Sequence, residues 1–308
     1  MQTTIEKSFS HVGTGVHLGR PARVIVRPAP KGHGLVFKRT DVEDKISLIP
    51  ASYKNVTRGE LCTSLANFHG IRVITVEHLL AALSGVGVSN ALIEIDNEEV
   101  PILDGSSERF VHSIINAGIK EQEKSMMICS VTKEIKVEDG KSWVKFEPAD
   151  ELILTIIIDY PNTIIGKQSF SLSMSNGSFI KELSNCRTFC LKDDIQHMHS
   201  LGLALGGSLD NAIVVDKFKV LNPGGLRRVD EFVRHKMLDA LGDLALSGLP
   251  IFGHFTSFCG GHRLNNKLLG KLFSSEEFHK FLPLINRDAY KLLGYKYSSS
   301  ILSYKAVG

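Results

Sequence analysis

The segment Glu231–Asp243, EFVRHKMLDALGD, constrains this chain more than any other stretch. It holds no proline and one glycine. Phe232, Val233, Met237, Leu238, Leu241 and Leu244 recur at steps of three and four, which predicts a helix with a buried apolar stripe. His235 and Asp239 are four apart and stand one above the other on one face. Asp243 is four further on, about 40° round the helix. A nitrogen and an oxygen ligand at i and i+4 is how a helix holds a borderline metal such as zinc. The competing account is a solvated polar face with a chance histidine, and the rest of the chain has to choose between them.

A chain of 308 residues fits two domains at roughly 100–200 residues each. Apolar residues at 43% and charged residues at 22% describe a globular protein with a sizeable core. A net charge of +3 is too small for a nucleic-acid binder and compatible with an anionic small substrate. The start, MQTTIEKSFS, lacks the apolar core of a signal peptide. The most apolar run, Leu152–Ile158, is far shorter than the ~20 residues of a membrane span. Cysteines 62, 129, 186, 190 and 259 are odd in number and irregular in spacing, so they read as reduced thiols. Cys186 and Cys190 have no second pair with which to complete a metal site. The expectation is a cytoplasmic monomer with no transmembrane segment and no nucleic-acid partner.

Residues 1–60 read as β-rich, with ARVIVRP (22–28) and GLVFKRT (34–40) as short strands. Gly13, Gly15 and Gly19 form GxGxxxG without a helix to follow, so a glycine turn is favoured over a dinucleotide fingerprint. ITVEHLLAALS (74–84) predicts a helix with Thr75 as its N-cap and Glu77 and His78 in its first turn. A glycine turn, the strand ALIEID and a loop and helix over 103–118 come next. Residues 119–128 read as a linker, 129–160 as a second β-rich region and 161–228 as short helix and loop. The Glu231 helix is then followed by the strand IFGHFTSF, the loop GGHRLNN and the helix KLLGKLF.

Two stretches share one order of elements. EHLLAAL, glycine turn, ALIEI, DGSS, RFVHSII is one; RHKMLDAL, turn, IFGHFTSF, GGHRLNN, KLLGKLF is the other. His78 and His235 fall at equivalent points, which predicts an internal duplication. The predicted class is α+β: two similar domains, each a β-sheet layered on helices, packed helix layer to helix layer. That packing brings the two helix starts and their histidines together, at the kind of interface where small-molecule sites lie.

The candidate metal ligands are therefore His78, His235 and Asp239, the two-histidine, one-carboxylate set of a catalytic zinc site with a position left open. Glu77, beside His78, can serve as general base for an activated water. His262 can act as general acid or cationic stabiliser, Asp243 can fix its tautomer, and the Thr188 hydroxyl can meet an oxyanion. Each has a plainer account: Glu77 favouring a helix dipole, Asp243 a surface carboxylate, His262 a loop residue without a role. The other histidines read as structural or surface groups, His17 between its glycines least securely.

TVEHLLAAL, LDGS, CRTF, DEFVRHKMLDALGD and GHRLNN together resemble the UDP-3-O-acyl-N-acetylglucosamine deacetylases, and the resemblance runs from VGTGVHLG to GHRLNNKLL. It implies a zinc-dependent amidohydrolase, with iron(II) as the alternative metal, that removes acetate from an acylated UDP-sugar in the committed step of lipid A synthesis. It implies a β-α-α-β sandwich of two domains, 1–122 and 129–308, each with an insert. The second insert, at about 192–215, lines an acyl passage. Carried over residue by residue, His78, His235 and Asp239 are the metal ligands and Glu77 the base. His262 is the acid or electrostatic histidine, Asp243 its partner and Thr188 the oxyanion threonine. Lys236, Phe189, Tyr160, Leu61 and Cys62 contact substrate, Tyr160 against the uracil. Cys259 stands where relatives often carry a basic residue near the diphosphate, which leaves that contact to Lys236 or a neighbouring cation. Leu191 replaces a phenylalanine of the acyl passage. The rival from another class is a non-catalytic nucleotide-sugar or lipid binder on the same scaffold, for which Glu77, Asp243 and His262 would be superfluous. A peptidase is disfavoured because HExxH is absent.

Overall fold

A computed structural model describes residues 1–57, 61–175 and 177–284. The expected end of the second domain at 308 lies outside the described residues. Six α-helices lie among the described residues: α1 (Glu77–Gly85), α2 (Glu108–Ala117), α3 (Ser178–Glu182), α4 (Lys192–Ser200), α5 (Glu231–Leu244) and α6 (His262–Leu272). No helix among the described residues is long and apolar enough to cross a membrane.

The first half is built on a five-stranded sheet with the order Phe9–Thr14, Pro21–Pro28, Ala91–Ile95, Leu35–Arg39, Leu48–Pro50. The second repeats this order within a seven-stranded sheet, as Ile135–Asp139, Ser142–Glu147, Ile251–Phe258, Leu152–Tyr160, Gly166–Ser173, and adds Met127–Val131 and His279–Pro283, the former also paired with Ile251–Phe258. In both, the strand that follows the long central helix enters the middle. It pairs antiparallel with one neighbour (Val24↔Ile95; Phe146↔Phe255) and parallel with the other (Phe37↔Ile93; Thr155↔Thr256). A parallel pair needs a crossover, and α1 and α5 supply it. Five strands of each sheet correspond in order and direction, as the α+β duplication predicted.

Alternation makes each sheet one-sided. Along Pro21–Pro28 the buried side chains are Ala22, Val24 and Val26, and the intervening residues face outward or are half-buried. In the second half Val144, Phe146, Leu154, Ile156 and Phe255 form the inner face. The helices cover these faces and meet each other, α1 against α5, so the layers run sheet, helix, helix, sheet. This explains why α5 is not simply amphipathic: twelve of its fourteen residues are buried, including His235, Asp239 and Asp243. The solvated-face account of those groups does not hold. Gly242 permits the close approach, since a β-carbon there would lie 2.1 Å from the Glu77 carbonyl oxygen.

Several expectations need correction. Thr75 does not cap α1; it has φ of 58°, its hydroxyl goes to Glu99 at 3.0 Å, and the helix starts at Glu77. Ile119–Gln122 is a strand rather than linker, because it pairs antiparallel with Gln2–Ile5. Residues 161–228 contain a full strand, Gly166–Ser173, whose alternating Phe170 and Leu172 complete a hairpin with Leu152–Tyr160. GGHRLNN is not a loop: Gly261 is extended and His262 opens α6. The two histidines are also offset. His78 is the second residue of α1 and His235 the fifth of α5, which gains a turn because buried Glu231 is held by Arg187 (2.9 Å) and the Arg227 N–H (2.7 Å).

Each half carries a three-stranded insert. The first consists of Val56–Thr57, Ser64–Ala66 and Arg72–Ile74. In the second, Phe189–Leu191 runs into α4 and pairs parallel with Ile213–Asp216, which pairs back with Lys219–Val220. This unit extends past 192–215 at both ends. It is tied to the first half through backbone bonds from Leu205 N–H to the His17 carbonyl and from Gly206 N–H to the Val16 carbonyl, both 3.0 Å.

Candidate metal centre

The i, i+4 spacing on α5 sets His235 Nε2 3.2 Å from Asp239 Oδ1. From α1, His78 Nε2 reaches the same oxygen at 3.3 Å. The two imidazoles stand perpendicular with centroids 5.0 Å apart, and the three donors lie within 4.8 Å of one another. His235 Nδ1 donates to the Cys186 carbonyl at 3.0 Å, which fixes the tautomer and leaves the Nε2 lone pair facing Asp239.

Two observations test whether a metal fits. Asp239 Oδ1 is buried and has no hydrogen-bond partner, although both imidazole nitrogens approach it. Burial also lowers the His235 pKa to about 4, which keeps the ring neutral, the form that binds a metal. Burial works against an ionised Asp239, but the His235 ring and the Lys236 ammonium outweigh it and hold the carboxyl well below the usual range. Lys236 Nζ donates to Oδ2 at 2.9 Å, so Oδ1 alone is left for a cation. Two imidazoles and a carboxylate oxygen make a donor set suited to zinc or iron(II).

Beside the triad is a second cluster. Glu77 is buried, and burial raises its pKa, with the His262 and His78 charges opposing. Its Oε2 accepts the Thr63 N–H at 3.0 Å, and its Oε1 lies 4.0 Å from His262 Nε2. His262 Nδ1 donates to Asp243 Oδ2 at 2.9 Å. Asn265 Nδ2 donates to the same oxygen at 2.8 Å, and the Thr63 hydroxyl donates to Oδ1. Burial pulls the His262 pKa down, but Asp243, then Glu77 and Asp239, overcome it and push it up to about 9.

Of the remaining predicted residues, Phe189, Tyr160 and Lys236 come together. Phe189 meets Tyr160 edge-on at 5.6 Å and Phe232 at 5.0 Å, and Lys236 Nζ sits 5.8 Å from the Phe189 ring. Thr188 precedes this strand; its N–H donates to the Gly105 carbonyl of the first half at 2.8 Å. Leu191 is half-buried at the strand's end, and Cys259 is half-buried with φ of 47°. Leu61 is 58% exposed with φ of 67°, whereas Cys62 is buried and its thiol is pushed up to about 12 by burial. These two neighbours therefore present different surfaces, one outward and one inward.

Sequence reasoning missed three groups. Thr63 and Asn265 hold Asp243, and neither belongs to a spacing that announces it. His17, read as structural or surface, is buried and close enough to His262 and His78 that burial, then their charges, lower its pKa to about 4. Its N–H and that of Leu18 donate to buried Glu99, at 2.8 and 2.7 Å. A histidine between glycines was the available signal.

Comparison with known proteins places these observations in a wider set. A family model described as UDP-3-O-acyl N-acetylglycosamine deacetylase matches residues 2–274. A UDP-3-O-acyl-N-acetylglucosamine deacetylase of Idiomarina loihiensis is 44% identical over 290 residues, 94% of each chain. One from Mannheimia succiniciproducens is 42% identical over 303 residues, 98% of this chain and 99% of the relative. One from Haemophilus influenzae is 41% identical over 289 residues, 93% and 94%.

Proposed function

The chain belongs to the UDP-3-O-acyl N-acetylglycosamine deacetylase family, and from that premise we propose that it hydrolyses the acetamide of a UDP-3-O-acyl-N-acetylglucosamine, releasing acetate in the committed step of lipid A synthesis. The observation that carries this reading is the convergence of His78 from one half with His235 and Asp239 from the other, flanked by Glu77 and His262. These three residues would hold a divalent metal, zinc by the donor set, with iron(II) as the alternative. When bound, it supplies Lewis acidity that makes water nucleophilic near neutral pH.

Glu77, its basicity raised by burial, takes a proton from the attacking water. The new C–O bond places negative charge on the acetyl oxygen. His262, cationic at neutral pH with a pKa of about 9, and the Thr188 hydroxyl stabilise that charge. As the C–N bond breaks, His262 gives its Nε2 proton to the leaving amine, and Asp243 keeps the opposite nitrogen protonated. Tyr160 and Phe189 offer ring faces to the nucleotide-sugar and Lys236 a cation, with Leu61 and Cys62 completing the contacts. In this reading the two domains expected at 1–122 and 129–308 belong to one monomeric enzyme, because both halves of one chain supply the whole site. The free thiols of all five cysteines support a reducing, cytoplasmic setting.

Metal analysis combined with an acetate-release assay on the acylated UDP-sugar tests the proposal. We expect one zinc or iron per chain, loss of turnover on chelation and recovery on adding the metal back. Undiminished acetate release from fully chelated protein would overturn it.

A further inference from the structure

Thr63 is almost completely buried, one residue before the strand Ser64–Ala66 of the first insert. Its polar groups reach two different members of the site. The backbone N–H donates to Glu77 Oε2 at 3.0 Å, which turns Oε1 toward His262. The hydroxyl donates to Asp243 Oδ1, and its oxygen lies 3.1 Å from His262 Nδ1. Asp243 and His262 stand on α5 and α6, in the opposite half. One residue of the first half thus fixes a carboxylate of its own half and a carboxylate–imidazole pair of the other.

We propose that Thr63 is a positioning residue for the deacetylation, holding the Asp243–His262 pair in register with Glu77 across the junction of the halves. The proposal rests on the reaction assigned above. Glu77 and His262 must address one acetamide from two sides, and they are carried by elements that share no backbone hydrogen bonding. Asn265 anchors Asp243 only to α6, which carries His262 as well, so it cannot set the distance to Glu77. The Thr63 hydroxyl is the group that makes this cross-connection. A buried hydrogen bond to a charged acceptor is of the stronger kind.

The test compares Thr63→Val, which keeps the shape and removes the hydroxyl, with Thr63→Ser, which keeps the hydroxyl and removes the methyl. Val should lower kcat by roughly 10- to 100-fold, the size expected for one hydrogen bond to a charged group. KM and metal content should stay near wild type, the melting temperature should fall by a few degrees at most because Asp243 Oδ1 loses a donor, and Ser should recover most of kcat and of the melting temperature. The side-chain nitrogen resonances of His262 in labelled protein should shift in the Val variant and return in the Ser variant. Wild-type kcat and unshifted His262 signals in Val would overturn the proposal. So would equal loss in Val and Ser, because Ser keeps the hydroxyl and would have lost turnover all the same. If Val does not fold, Thr63→Ala takes its place: Ser should exceed Ala in kcat by the same factor, and equal turnover in Ser and Ala would overturn the proposal. No acetate release by the wild-type chain would sink the assigned reaction and this role with it, a failure visible before any variant is compared.

Discussion

The two halves share one strand order and one helix order, yet they divide the site unequally. Aligning His78 on His235 sets Leu79 against Lys236, Ala82 against Asp239 and Val86 against Asp243. All of the first-half members are fully buried and apolar. The repeat therefore keeps a histidine in both copies, and the carboxylates four and eight residues after it in only one. Two identical polar helices facing each other would bury four carboxylates together, and buried like charges oppose one another's ionisation. One apolar helix against one polar helix avoids that and leaves a single set of donors. The first half supplies Glu77 and Thr63 instead, near the open end of α1. The comparison teaches that duplication furnished the geometry and divergence furnished the charge.

The sharpest way to break this account is to remove one ligand from each half. His78→Ala and Asp239→Ala should both lose metal and lower turnover by more than ~100-fold, the upper range for groups that merely support metal ligands. Metal analysis of the purified variants checks it. Stoichiometric metal in His78→Ala would mean that the second half holds the ion alone. Next in size, Glu77→Gln and His262→Gln should retain metal and lose ~10²–10⁴-fold in kcat, the usual contribution of a positioned proton-transfer group. Wild-type turnover by either would remove it from the mechanism.

The charged side of the comparison is sharpened by pH. His262 titrates at about 9 in the fold, above its ordinary 6.5. Burial alone would lower it, so the acidic groups must prevail, Asp243 first. A folded value above the unfolded one means that this group's contribution to stability is fully present below about 6.5 and disappears as pH rises through about 9. Histidine NMR on the metal-free chain should show that titration near 9, and Asp243→Asn should move it down toward or below 6.5. No movement would show that another group sets the value.

The legible parts were those written in local spacing. The His235–Asp239–Asp243 stripe, the apolar stripe of α1 and the matched order of elements in the two halves all follow from periods of two and four, and the sandwich follows from them. What failed to show depends on pairing across distance. Ile119–Gln122 looks like linker because its partner, Gln2–Ile5, is more than a hundred residues away. Thr75 looks like a cap because Glu99, which claims its hydroxyl, is invisible from the helix pattern. Thr63 has no signature at all, since its meaning comes from Asp243, 180 residues on. His262 was assigned to a loop because Gly260 and Gly261 dominate the local reading, although the residues after it are good helix formers.

The smallest effects separate the glycines inside α5 and α6. In a helix interior, alanine is favoured over glycine by roughly 0.8–1 kcal/mol, so a glycine there needs a reason. Gly242 has one: its β-carbon would lie 2.1 Å from the Glu77 carbonyl oxygen, and backbone cannot swing aside as a side-chain tip can. Gly242→Ala should force α5 away from α1 and cost about 1–3 kcal/mol, the range for overpacked cores. Since that movement parts His78 from His235, turnover should fall as well. Gly270, on α6, has nothing within 4 Å of the same position. Gly270→Ala should stabilise the chain by about 0.4–1 kcal/mol and leave turnover unchanged. Denaturant unfolding of both variants decides it. A Gly242→Ala chain as stable and as active as Gly270→Ala would mean that the helix layers tolerate separation, and that the site does not depend on the closeness of the halves.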